Sequence, residues 1–298
     1  MNEQPALVGL DLGGTALKAV LISFGDAPTV VGSEVVETPR TGEPDLVVAT
    51  LVATVDRLAV DGPVAAVGVG VPGQFDAAGG TLRALPNVPG PWEGYPLRDR
   101  LTAGLGLPVH LVNDSQAFTL AEATLGAAVG RRIVLGMTLG TGVGGGVVIE
   151  GRIHRGAHGS AGEIGHQVIT ANGPVCGCGR RGCLEAMARS AVFAALARKE
   201  TAAEAFDAVR AGDRRAAEAL EMVTEYLGVG LANVIAVVDP DIVVVGGGLA
   251  LAGDLLLDPL QAAVRRNVSV VPPDSTPIVA GTLGMTAGAI GAALACSH

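Results

Sequence analysis

Residues 7–22 and 134–149 carry one glycine-punctuated pattern twice, at an offset of 127, and this repeat constrains the fold more than any other feature. Gly9 aligns with Gly136, Leu12 with Leu139, Gly13 with Gly140, Val20 with Val147 and Ile22 with Ile149, with largely apolar positions between them. Each copy reads as a strand, a tight Gly/Thr turn and a second strand, with glycine expected to supply a positive φ at the turn. Two similar β-rich halves follow from this pattern. A length of 298 residues suits two domains, and 49% apolar against 16% charged residues excludes a mostly disordered chain.

The intervening segments alternate helix and strand. Leu46, Val47, Leu51, Val52, Val55 and Leu58 recur at helical spacing after Pro44, a residue suited to a first helical turn. A strand is expected over 65–71, ended by Pro72-Gly73 and followed by a long loop through Pro86, Asn87, Pro89 and Trp92. A second strand, 109–112, runs into Asn113-Asp114, and a helical pattern resumes over 115–125. Residues 184–199, 202–210 and 214–238 read as helices, and 241–245 as a buried strand stopping at Gly246-Gly247-Gly248. The alternation implies α/β architecture, with ligands outside the strand ends.

Twenty basic against 29 acidic residues give a net charge of −9 without a basic run, so neither nucleic acid nor an anionic membrane is an expected partner. An anionic ligand must then be met by local cations or backbone N–H groups. Residues 1–6 carry Glu3 and no apolar core, which leaves neither a signal peptide nor room for a DNA-binding module, and a cytoplasmic location is expected. Residues 275–297 are uncharged and long enough to span a bilayer. Pro277 and four glycines argue instead for a short strand near Ile278 and a small-residue helix from about Met285.

Four constellations carry chemistry. Asp11, Gly13, Gly14 and Thr15 with Lys18 place a carboxylate, two side-chain-free residues and a hydroxyl at a hairpin tip, where backbone N–H groups can approach phosphate and Asp11 can hold hydrated Mg²⁺. An ordinary hairpin turn is the alternative. Gly140, Thr141 and Gly142 repeat the device, and Gly246 and Gly247 offer a third backbone approach suited to a nucleoside. Asn113-Asp114, at the junction of strand and helix, reads either as an Asp N-cap or as a general base with Asn113 anchoring a neighbouring hydroxyl. Cys176, Cys178 and Cys183 offer three soft corners to a tetrahedral structural Zn²⁺, with His166 the nearest fourth donor and His154 and His158 more distant. Reduced core thiols or a disulfide are the competing readings, and Cys296 reads as a free terminal thiol. Glu163 and Glu185 flank this knuckle and are either solvated charges or rigid acceptors for a polyol.

Taken together, Asp11-Leu12-Gly13-Gly14-Thr15-Ala16-Leu17-Lys18, Asn113-Asp114, Gly162-Glu163-Ile164-Gly165-His166 and the segment from Cys176 to Leu184-Glu185 resemble the ROK family of sugar kinases and regulators over nearly the whole chain. The resemblance implies duplicated actin-like ATPase (ribonuclease H-like) domains with a cleft between two lobes: a small one of 1–113 plus about 284–298, and a large one of 114–283 holding a zinc knuckle at 166–183. It implies an ATP-dependent kinase acting on the primary hydroxyl of a hexose, glucose first, with Mg²⁺ and structural Zn²⁺, assembled as a homodimer or homotetramer. Asp114 would be the base, Asn87, Asn113, Glu163, His166 and Glu185 would contact sugar, and His166 would bind zinc through one ring nitrogen while the other faces a sugar hydroxyl. N-acetylmannosamine, mannose, fructose, allose or a cyclitol are alternative acceptors, and a sugar-responsive regulator lacking its DNA-binding module is an alternative role. After Asn113-Asp114 the family usually has small residues, whereas this chain places Gln116 and Phe118 there.

Overall fold

The computed structural model describes residues 6–25, 27–59, 62–76, 78–272 and 274–297; the reading of the first six residues falls almost wholly outside them. In chain order the first elements are β1 (Ala6–Leu12), β2 (Ala16–Phe24), β3 (Pro28–Glu37), α1 (Pro44–Leu58), β4 (Val64–Val71), β5 (Gln74–Phe75), β6 (Leu82–Ala84), α2 (Leu97–Leu105), β7 (Val109–Asn113) and α3 (Asp114–Leu125). There follow β8 (Ile133–Leu139), β9 (Val143–Ile149), β10 (Arg152–Ile153), α4 (Leu184–Ala188), α5 (Ser190–Leu196), α6 (Ala202–Arg210), α7 (Arg214–Val238), β11 (Ile242–Gly246), α8 (Asp254–Asn267), β12 (Ile278–Ala280) and α9 (Ala287–Leu294). Contacts divide the chain into two compact units: Met1–Val129 with Gly151–Ala161 and Leu283–His298, and Gly130–Glu150 with Gly162–Thr282.

The first unit is built on a sheet of order β3-β2-β1-β4-β7, antiparallel across β3, β2 and β1 and parallel across β1, β4 and β7. The second sheet repeats that order as β10-β9-β8-β11-β12, antiparallel across β9 and β8 and parallel across β8, β11 and β12. β1 and β8 start at residues 6 and 133 and end at 12 and 139, and β2 and β9 start at 16 and 143, so the offset of 127 read from the glycines is structural. The turn mechanism differs from expectation. None of Gly13, Gly14, Gly140 and Gly142 lies in the left-handed region. Close approach explains three of them: a Cβ on Gly13 would lie 2.6 Å from Ala16 O, on Gly14 2.5 Å from Asn87 O, and on Gly142 2.5 Å from Glu185 Oε2.

In the first unit, α1 begins with Pro44 in its first turn and buries Val47, Leu51 and Val55, one face at helical spacing, against a core containing Leu10, Leu12, Val67 and Val69. The uncharged C-terminal stretch is the other half of this packing. A Cβ on Gly9 would meet Ala289 O at 1.9 Å, on Gly68 Ala292 O at 1.8 Å, and on Gly291 Ala117 O at 1.7 Å, so α9 presses its backbone onto β1, β4 and α3. The small residues there serve close packing within the first unit. The same contact explains why α3 belongs to the first unit, whereas the division expected from the sequence starts the second lobe at 114. Gly68→Ala is expected to cost about 3 kcal/mol, because the added methyl must displace helix backbone rather than a side chain. The denaturant midpoint measures it.

The second unit packs α4 to α8 around a core of Leu135, Met137, Phe193, Leu227, Val243 and Leu260. α7 starts at Asp213, whose side chain accepts from Ala216 N at 3.1 Å, and stops at Asp239, left-handed at φ 50, just before Pro240. Among the described residues α7 alone is long and apolar enough to cross a bilayer, and it packs its buried side into this core. The single helix expected over 184–199 is broken at Arg189, where ψ is 161, into α4 and α5. β3, α2 and α8 were not read from the sequence, and the expected long loop contains the β5/β6 pair.

Candidate active site

In the first unit the chemistry gathers at the carboxyl ends of the parallel strands, the expected ligand-binding edge. Asp11 pairs with Gly70 across β1 and β4, and Val71 with Asn113 across β4 and β7. A Cβ on Gly70 would lie 3.8 Å from the Cα of both Asp11 and Asp114, so the missing side chain leaves the two acidic residues flanking one open position.

Asp11 faces Lys18 across the hairpin, and the Lys18 Nζ donates to its Oδ2 at 3.0 Å. The tip between them is held stiffly. Gly13 N donates to Ala16 O at 3.1 Å, the Thr38 hydroxyl to Gly13 O at 2.7 Å, and Thr38 N to Thr15 O at 3.0 Å. Thr15 is exposed at the apex, and Gly14 abuts Asn87, which is exposed and adopts a left-handed φ of 73. A non-glycine residue held in that region is strained, which is common at ligand sites.

Asn113, not Asp114, is the N-cap of α3: its Oδ1 accepts from Ser115 N at 3.0 Å and Gln116 N at 3.2 Å. Asp114 occupies the first helical position, half-buried, with Oδ1 accepting from Ser115 N at 2.7 Å and the Ser115 hydroxyl at 3.2 Å. The next eight residues, Ser115 to Glu122, are all buried, so the carboxylate heads a helix with no freedom to drift.

In the second unit His166, Cys176, Cys178 and Cys183 converge, with one ligand atom from each within 4.8 Å of all the others. Cys176 Sγ lies 3.7 Å from His166 Nδ1, and Cys178 Sγ lies 3.7 Å from Cys183 Sγ. A tetrahedron with Zn–S bonds of about 2.3 Å has sulfur–sulfur edges of about 3.8 Å, so the donor set fits zinc in type and spacing. His154 and His158 stay outside the cluster. The knuckle is folded tightly: Cys176 N donates to Arg180 O at 2.8 Å, and Gly182, at φ 74, passes so close to Thr170 that a Cβ would lie 1.6 Å from its carbonyl oxygen. Burial pushes the Cys176 thiol up to about 12 and raises Cys183, while the backbone N–H of Arg180 lowers exposed Cys178.

The two flanking glutamates are half-buried rather than solvated. Glu185 Oε2 accepts from Val143 N at 3.1 Å beside the second hairpin tip, and its Oε1 lies 3.5 Å from Cys176 Sγ. Glu163 Oε2 lies 4.0 Å from His166 Nε2; burial raises its pKa, opposed by His166 and reinforced by Glu185. The imidazole thus turns Nδ1 to the thiols and Nε2 to a carboxylate.

A pocket of about 720 Å³ opens elsewhere in this unit, lined by Gly140 and Thr141 of the hairpin, Ser190, α6 from Ala202 to Arg210, and the turn from Gly248 to Ala252. Its size suits a nucleoside. Gly246 lies within β11 and Gly247, at φ 82, packs against Leu139, so neither lines the pocket, and Gly248 does. The α5 and α6 lining was not anticipated, since no local motif marks segments that meet only after folding.

Two sheets of one strand order, each with its polar groups at the parallel strand ends or the hairpin tip, define the duplicated actin-like ATPase fold. The chain belongs to the ROK family, which it matches over residues 7–298. It is 35% identical to the glucokinase of Thermotoga maritima, with 96% of each chain covered. The crystal structure of the ROK hexokinase from Thermus thermophilus superposes with a TM-score of 0.84 at 36% identity, covering 97% of each chain. A ROK family glucokinase from Streptomyces griseus, solved in complex with glucose and AMPPNP, superposes with a TM-score of 0.82 at 31% identity, covering 98% of this chain and 100% of that one.

Proposed function

We propose that this protein is an ATP-dependent kinase that phosphorylates the primary hydroxyl of a hexose, glucose first. The observation that carries the reading is the carboxylate of Asp114, heading a helix whose next eight residues are buried, at the strand-end edge shared with Asp11, in a chain similar to glucokinases. In the reaction the hexose O–H gives its proton to Asp114 as the oxygen bonds to the γ-phosphorus, while the bond from that phosphorus to the bridging oxygen breaks and ADP leaves. The transition state is loose, so positioning and charge stabilisation supply most of the rate.

In the first unit, the amides of Gly14 and Thr15 and the Thr15 hydroxyl would meet phosphate, because Gly13 N is already committed to the turn. Asp11, with Lys18 beside it, is the carboxylate suited to hydrated Mg²⁺, which would offset phosphate charge. Asn113 has spent its oxygen on the cap, so a sugar hydroxyl would accept from its amide nitrogen; Asn87 is a second contact. In the second unit, Gly140, Thr141 and Gly142 would approach the nucleotide, with Gly246 and Gly247 shaping the turn and Gly248 the pocket wall. Glu163, Glu185 and the Nε2 of His166 would take sugar hydroxyls. His166, Cys176, Cys178 and Cys183 would hold a structural Zn²⁺ that stiffens those acceptors. The resemblance further supports a homodimer or homotetramer in the cytoplasm.

The test is ADP release with ATP and Mg²⁺ across glucose, mannose, fructose, allose, N-acetylmannosamine and a cyclitol. Glucose is expected to show the highest kcat/KM. Turnover of none of them overturns the reading.

A further inference from the structure

Gln116 is a polar side chain only 3% exposed, two residues beyond Asp114. Its Nε2 donates to Gly159 O at 3.2 Å and to Ala161 O at 3.0 Å. Both partners are acceptors, so the amide orientation is fixed by the partners alone. Two half-buried carbonyls left without these donors would lose a bond each, and a primary amide is the uncharged group that satisfies both.

The helix carrying this amide is anchored at its far end too. Fully buried Glu122 accepts from Ala127 N at 2.9 Å and Leu283 N at 3.0 Å. Gly126 must be glycine there, since a Cβ would lie 2.0 Å from the Glu122 carboxylate. α3 therefore cannot slide, and the segment tied to Gln116 is tied to a fixed strut. That segment ends at Ala161, where the chain leaves the first unit. Gly162 follows at φ 94, so close to Gly146 that a Cβ would lie 2.8 Å from its Cα, and Glu163 comes next. Along the chain, Glu163 is two residues beyond the last carbonyl held by Gln116.

We propose that Gln116 is a positioning residue for the sugar: it holds residues 159–161 on the helix that carries Asp114 and thereby sets where the chain enters the Gly162–His166 turn. This rests on the kinase reading above. Gln116→Met keeps volume and removes both donors, and Gln116→Asn is one methylene too short to reach both carbonyls. In each, glucose affinity by calorimetry and glucose KM are expected to weaken about tenfold or more, while the ATP KM stays near wild type. Amide hydrogen exchange across 157–165, measured without ligands, is expected to quicken. If either folded variant binds glucose as wild type does, even with a lowered melting temperature, Gln116 is only structural and the proposal falls. A wild type that binds glucose but transfers no phosphoryl group sinks the kinase reading instead, and the affinity comparison still decides the role of Gln116.

Discussion

Asp114→Asn is expected to lower kcat for glucose by about 10³-fold while glucose and ATP affinities stay close to wild type. The structure makes this substitution clean. The N-cap of α3 is Asn113, so the helix start does not depend on the Asp114 carboxylate, and an asparagine oxygen can still accept from Ser115 N. What is lost is the basicity of the second oxygen, the property a proton acceptor needs. Of the other candidate carboxylates, Asp11 is paired with Lys18, and Glu163 and Glu185 belong to the second unit, beside the thiol cluster. A burst-free single-turnover experiment separates the chemical step from release of products. Wild-type single-turnover rates in Asp114→Asn would show that the hydroxyl loses its proton elsewhere.

How far the sequence foretold the structure depends on how local each signal is. The two hairpins, the start of α3 and the thiol cluster each depend on residues close in sequence, and the chain brings them together where the spacing placed them. The offset of 127 survives folding because each sheet needs the same strand–turn–strand unit at its centre. Readings that depended on distant partners fared worse. The glycines at the hairpin tips were assigned to positive φ, yet Gly14 and Gly142 are needed because Asn87 and Glu185 crowd them from 73 and 43 residues away. α8 escaped notice because Pro259 lies within it, and β3 because its valines are exposed on an edge strand. The nucleoside-sized pocket has no motif at all: its walls come from a hairpin, two helices and a turn. Gln116 stands out in the sequence only as a departure from the resembled pattern and Glu122 not at all, and their backbone partners at 127, 159, 161 and 283 give them meaning.

Removing one thiol tests whether a metal organises the second unit's polar groups. Cys183→Ser is expected to yield protein without zinc by elemental analysis, where the wild type carries one ion per chain, and to raise the glucose KM by about 10–100-fold. The ATP KM should move far less, because none of the four cluster residues lines the nucleoside-sized pocket. Cys183 is the harshest position: it is fully buried at the start of α4, the helix that carries Glu185, and it pairs by its backbone with Val168, two residues beyond His166, so an unligated side chain there sits between both. Cys178 is exposed, and Cys178→Ser should therefore cost less than Cys183→Ser in both zinc retention and glucose KM. The physical reason is the tie between thiols and acceptors. His166 presents Nδ1 to Cys176 and Nε2 toward Glu163, and Glu185 lies against Cys176 Sγ while accepting from Val143 N at the hairpin tip, so an ion held there would fix three polar groups through one ring and one sulfur. The buried Cys176 thiol, pushed up to about 12, cannot do this as a neutral group, since a protonated Cys176 would donate to Glu185 and take from it an acceptor a sugar hydroxyl could use. Wild-type protein purified without zinc, yet binding glucose as tightly as the metal-loaded form, would leave the knuckle held by packing alone and the carboxylates ordered by their hydrogen bonds.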